Sequence, residues 1–99
     1  MAAYRIEFTD DAHEDLLYFK AFERKIIVDD IKAQLTPQPR VATRNRKQLR
    51  EHPMARWELR TGKFRTFYAV SDEPVAVRIV AVGEKNRNEL FIRGRKVEL

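Results

Sequence analysis

The chain has 99 residues, enough for one small domain with a single modest core. It has no cysteine and only two histidines, His13 and His52. That excludes a disulfide scaffold, thiol catalysis and cysteine-based zinc sites, and it leaves too few soft ligands for a protein-only zinc site. No run approaches the roughly 20 apolar residues that would span a bilayer. The opening Met-Ala-Ala-Tyr-Arg does not read as a signal peptide. A cytoplasmic protein of one domain over residues 1–99, with no membrane partner, is the expectation.

Twenty Lys and Arg against fifteen Asp and Glu give a net charge of +5, and the charge is unevenly spread. Residues 1–30 carry four basic and eight acidic side chains, a net of −4. Residues 40–65 carry nine basic ones (Arg40, Arg44, Arg46, Lys47, Arg50, Arg56, Arg60, Lys63, Arg65) and two acidic ones, a net of +7. Such a block points to a polyanionic partner, either nucleic acid or an acidic protein. The plainer alternative is a solvated basic loop.

Tyr4 to Phe8 alternates apolar and charged residues and reads as a strand with one buried face. Thr9 is a helix N-cap, with Asp10 and Asp11 favourable at the positive end of the helix that follows. Ala12, Leu16 and Phe19 recur at helical spacing, as do Ile27, Ile31 and Leu35. The two sets do not share one stripe across residues 19–25, so the region is either one bent helix or two helices packed as a hairpin. Pro37 and Pro39 close it. Residues 40–54 lack periodicity and read as an extended loop. From Ala55 the period is two: Trp57 and Leu59 share one face, and Arg56, Glu58 and Arg60 the other. Phe64 to Val70 reads as a second strand, Val75 to Val82 as a central one, residues 83–88 as a polar turn, and Leu90 to Ile92 as a short strand. Gly94 allows another turn before the C-terminal tail. The fold class is α+β: an N-terminal strand, then one or two helices on a twisted, mainly antiparallel sheet of about four to five strands. The expected core is Ile6, Phe8, Leu16, Phe19, Ile27, Ile31, Leu35, Trp57, Leu59, Tyr68, Val77, Ile79 and Val80.

The ordered set Trp57-Glu58-Leu59-Arg60-Thr61-Gly62-Lys63-Phe64-Arg65-Thr66-Phe67-Tyr68, an acidic turn, a Val/Ile strand and Val82-Gly83-Glu84-Lys85 resembles the RelE/ParE superfamily of bacterial toxins. The resemblance implies the toxin of a type II toxin–antitoxin pair. RelE-like members cut mRNA in the ribosomal A site. ParE-like members share the fold and poison DNA gyrase instead. Both are held inactive by an antitoxin. The implied partners are therefore a cognate antitoxin and, for the RelE branch, the ribosome and mRNA. No metal and no cofactor is implied.

RNA cleavage by its own 2′-OH needs a group to take the hydroxyl proton, cations to stabilise the phosphorane and a group to protonate the leaving 5′-oxygen. By the resemblance, Arg65 matches the family's phosphate-stabilising arginine, and Lys85 falls where RelE has a catalytic arginine. Lysine keeps the charge there but loses the two-pronged geometry. Arg56 and Glu58 fall where RelE has two lysines. Arg56 keeps the charge; Glu58 reverses it, and is either an ion-pair partner for its neighbours or a general base. Phe91 stands where RelE has a tyrosine; it has no hydroxyl to offer and is expected to pack in the core, or at most to stack on a base. His52 is a candidate acid or base, because an unperturbed histidine titrates near pH 6.5. Tyr68 and Trp57 are expected in the core.

Arg40, Arg44, Arg46, Lys47 and Arg50, together with Arg60, Lys63 and Arg87, are the expected phosphate contacts, although the first five would equally receive acidic residues of an antitoxin. The family places antitoxin contacts on the outer face of the helices and near the C-terminal strand. The substitutions at Glu58 and Phe91 keep open two alternatives to a ribosome-dependent endonuclease: a ParE-like gyrase-binding toxin, and a catalytically decayed module that binds RNA or antitoxin.

Overall fold

The computed structural model describes residues 3–50 and 55–98. In chain order they form β1 (Arg5–Phe8), α1 (Asp10–Leu17), α2 (Ala21–Leu35), β2 (Arg46–Gln48), β3 (Trp57–Thr61), β4 (Phe64–Asp72), β5 (Val75–Asn86), β6 (Glu89–Ile92) and β7 (Arg95–Val97). The sheet has seven strands, in the order β2-β3-β4-β5-β6-β7, with β1 alongside β5. All neighbours are antiparallel except β1 and β5. No helix of the described residues is long and apolar enough to cross a membrane.

The expected count of four to five strands is too low. The additional strands are β2 and β7, of three residues each. Segments this short carry no period of their own and are extended because β3 and β6 offer a ladder. The expected loop over residues 40–54 accordingly contains β2, and the expected turn over residues 83–88 contains the end of β5.

The helical region is two helices. The Thr9 side chain accepts the Ala12 N–H at 3.1 Å and caps α1, with Asp10 and Asp11 in the first turn. The chain breaks after Tyr18, and Arg24 Nη1 donates to the Phe19 carbonyl at 2.6 Å, which ties the start of α2 to the connection between the helices. Ile27, Ile31 and Leu35 then fall four residues apart on the buried face of α2.

The main core lies between the helices and the sheet. It gathers Phe19, Ile27, Ile31, Leu35, Trp57, Leu59, Phe64, Tyr68, Val77, Ile79 and Val82, with Ile6, Phe8 and Leu16 packed at its margin. Trp57 stacks on Tyr68 with ring centres 6.1 Å apart. Val80 is the one expected core residue that goes elsewhere. Phe67 pairs with Ala81 and Tyr68 with Ile79, so Val80 is an extra residue in a bulge of β5. The bulge reverses the alternation beyond it. Val82 turns towards the helices, while Val80 and Ala81 join Phe67, Leu90 and Ala55 in a second cluster on the opposite face.

On its outer edge β5 is flanked first by β1 (Ala76–Ile79) and then by β6 (Glu84–Asn86). α1 crosses the gap. Asp15 accepts the Val82 N–H at 3.1 Å with Oδ2 and the Arg93 Nε–H at 2.7 Å with Oδ1. Burial pushes the Asp15 carboxyl above its usual range, against the lowering effect of these two hydrogen bonds.

Candidate nucleic-acid interface

The tight turn at Gly62, whose φ of +58° suits a residue without Cβ, joins β3 to β4 and sets Arg60 directly across from Arg65. Arg65 in turn lies across from Gly83 of β5. A Cβ on Gly83 would fall 2.5 Å from the Phe91 carbonyl oxygen, so glycine is what lets β6 close over this end of β5. Two residues on, Lys85 is on the same face as Arg65, at a diagonal spacing of about 7–8 Å. Two residues before Arg60, Glu58 faces Lys47 of β2 on one side and Phe67 on the other. The face away from the helices therefore carries Lys47, Glu58, Arg60, Arg65 and Lys85 beside the second apolar cluster.

Arg65 is only 7% exposed. Its Nη1 donates to the carbonyls of Gly62 at 2.7 Å and Phe64 at 2.9 Å, which anchors the guanidinium to the turn. Its Nε is buried with no hydrogen-bond partner among the described residues. Burial lowers the Arg65 pKa, as does the Arg60 charge, while Glu58 raises it; an arginine so shifted still holds its proton at neutral pH. Glu58 is also 7% exposed. The expected ion pairs with Arg56 and Arg60 on an open face are not its setting: it is enclosed, and its charge acts on Arg65.

Several expected site residues are elsewhere. Arg56 precedes β3 in a bend, and Ala55 rather than Arg56 packs against the Phe67 cluster. Alternation extended back from Glu58 therefore fails at Arg56, which lines a recess with Arg40, Gln48 and Trp57 instead. Arg46 is buried on the helix side and donates from Nη1 to the Gln34 carbonyl at 2.8 Å, so it is a tie between β2 and α2 and not a surface phosphate contact. Lys63 is drawn to the helix side by Glu84 at 3.3 Å and Glu23 at 3.8 Å, with its ammonium 5.5 Å from the centre of the Phe64 ring. Arg40 pairs with Asp72 at 2.7 Å. Arg44, Arg50 and Arg87 are exposed, Arg87 in the turn after β5. Phe91 belongs to neither core cluster, contrary to expectation; it is half-buried and across from Glu84, whose carboxylate meets Lys63 on the helix side. His52 lies outside the described residues.

Sequence reasoning missed Asp15 as a buried carboxylate. The signal was its place between Ala12 and Phe19 on the apolar stripe of α1, where an acid needs a specific partner. It also missed the apolar surface made by Leu17 and Tyr18 with Phe22 and Ile26, all about half exposed or more.

The chain is a two-layer α+β domain with a basic sheet face, and solved structures of bacterial toxins share this architecture. The RelBE2 toxin–antitoxin complex of Mycobacterium tuberculosis is 27% identical, with a TM-score of 0.74 over 86% of this chain and 94% of that one. Isolated Escherichia coli RelE toxin is 26% identical, with a TM-score of 0.67 over 86% of this chain and 87% of that one. An E. coli RelE variant bound to a RelB antitoxin peptide is 26% identical, with a TM-score of 0.64 over 85% of each chain. No family model and no curated protein matches the sequence. These likenesses support a toxin of the RelE superfamily.

Proposed function

We propose that this toxin is an endoribonuclease that cuts mRNA on the ribosome, works without metal or cofactor, and is restrained by a cognate antitoxin. One observation carries the reading: Arg65, anchored to the Gly62 turn, shares a sheet face with Arg60, Lys85 and the enclosed carboxylate Glu58. The antitoxin half is supported by the RelBE2 complex and the RelB-bound RelE among the similar structures.

In this reading the RNA backbone lies across β3, β4 and β5. Glu58 takes the 2′-OH proton and the oxygen attacks the adjacent phosphorus. Arg65, with Arg60 and Lys85, stabilises the charge gathered on the phosphorane oxygens. The 5′-oxygen leaves with a proton, for which Lys85 and His52 are the assigned donors, and the product is a 2′,3′-cyclic phosphate. Lys47, Arg44, Arg50 and Arg87 contribute phosphate contacts that set affinity more than sequence choice.

The test is cleavage of mRNA on translating ribosomes, mapped by primer extension, with wild type and Arg65→Ala. Cuts within the A-site codon, reduced about 10²–10³-fold in the variant, are expected. Growth arrest by a folded wild-type chain with no cuts would transfer the assignment to a gyrase-type target.

A further inference from the structure

The structure holds a second basic feature, at the other end of β3 and β4 from the Gly62 turn. Arg40, Ala42, Gln48, Arg56, Trp57, Ala69 and Val70 line a recess of about 540 Å³. An adjoining recess of about 560 Å³ is lined by Gln48, Leu49, Arg50 and Arg56. Gln48 and Arg56 line both. Each recess thus has a cation of its own, Arg40 in one and Arg50 in the other, and both share Arg56.

The lining chemistry selects the ligand. Ala42, Ala69 and Val70, with the small exposed part of Trp57, give the first recess an apolar share of its lining, which an acidic side chain does not need and a nucleobase does. The Gln48 amide has both a donor and an acceptor for a base edge. Arg40 is held in place by Asp72 at 2.7 Å and by the Val70 carbonyl at 3.5 Å. We infer that these two recesses take successive nucleotides of a single RNA strand, with Arg56 between them on the phosphate, as a site separate from the Arg65 face. Arg56 to Arg60 is four residues of chain, about 13 Å at the rise of a strand, so one RNA strand can engage both sites. The inference rests on the RNA reading above and adds to it where the strand is held outside the reacting centre.

Trp57 is the chain's sole tryptophan, so its fluorescence reports occupancy of the recess. The probe is a non-cleavable 2′-O-methyl RNA of about ten nucleotides, titrated into the full chain, with binding followed by anisotropy of a dye on the RNA and by Trp57 emission. Expected is a change in Trp57 emission that tracks binding, affinity about tenfold weaker in Arg56→Ala and weaker in Gln48→Ala, and a salt dependence of binding reduced by about one phosphate contact in Arg56→Ala. A mononucleotide is expected to bind far more weakly, because it spans one recess only. An RNA that binds with no change in Trp57 emission and with equal affinity in both variants overturns the inference and leaves the RNA reading standing. No RNA binding at all overturns both. An acidic peptide that perturbs Trp57 where RNA does not overturns the inference in favour of a protein occupant. Unchanged circular dichroism in the variants shows that any lost affinity is local.

Discussion

Arg93 Nε donates to Asp15 Oδ1 at 2.7 Å across 78 residues of chain, and the other carboxylate oxygen of Asp15 holds the Val82 N–H. One acid on α1 thereby closes the gap between β1 and β6 along β5 and pins the turn that joins β6 to β7. Asp15→Asn presents an N–H to one of these donors and is expected to cost about 1–3 kcal/mol, because a buried hydrogen-bonding group loses its complement. Thermal unfolding should show it as a drop of about 4–8 °C per kcal/mol. Burial raises the Asp15 pKa, so the folded chain binds this proton more readily than the unfolded one. The contribution of Asp15 to stability is therefore full below pH about 4, the unfolded value, and falls as pH rises through the folded pKa. The wild-type advantage over Asp15→Asn should be larger in acid than at neutral pH.

Tyr68 is fully buried, and its hydroxyl donates to the Pro39 carbonyl at 2.7 Å. Burial pushes its pKa above the ordinary tyrosine range. The folded chain keeps a proton that the unfolded chain gives up near pH 10, so stability from this group is present below that pH and declines above it. Tyr68→Phe should cost about 1–2 kcal/mol at neutral pH through the orphaned carbonyl, and should lessen the loss of stability measured from pH 9 to 11.

Gly83→Ala places a methyl group 2.5 Å from the Phe91 oxygen and 2.9 Å from the Ile92 side chain. Backbone cannot yield as a flexible side chain does, so β6 must move. A cost of about 1–3 kcal/mol in chemical denaturation is expected, with RNA cleavage reduced beyond the unfolded fraction, because Arg65 is directly across from this residue.

Glu58→Gln keeps the shape and removes the charge. If Glu58 takes the 2′-OH proton, cleavage should fall about 10²–10⁴-fold while the thermal midpoint stays near that of wild type. Unchanged cleavage would reduce Glu58 to an electrostatic neighbour of Arg65.

Phe22 is 63% exposed and stands one helical turn from the half-exposed Ile26 on α2. Phe22→Glu should leave unfolding within about 0.5 kcal/mol of wild type and weaken co-purification with the antitoxin. Full retention of the complex would move the antitoxin contact off this face.

Most of the scaffold was legible because its signals are local. Thr9 with two aspartates announces a helix start, Ile27, Ile31 and Leu35 announce the buried face of a helix, and the alternation through Trp57 and Leu59 places both in the core. The resemblance through Arg60, Gly62 and Arg65 also led to a sheet face that the structure does assemble. Two inferences failed because they carried a local pattern past a break. Strict alternation misplaced Val80 because a bulge inserts one residue, and it misplaced Arg56 because β3 begins only at Trp57.

Residue order alone determined the α+β class, the principal core and the basic middle of the chain, because periodicity and charge are properties of neighbours in sequence. Tertiary structure decided which of those charges share a surface. Arg46 and Lys63 are drawn to the helix side by Gln34, Glu23 and Glu84, Arg56 is turned to a separate recess, and Glu58 is enclosed beside Arg65. Side-chain destination depends on register and on partners far along the chain, and a charge near the core goes where a partner offsets its loss of water.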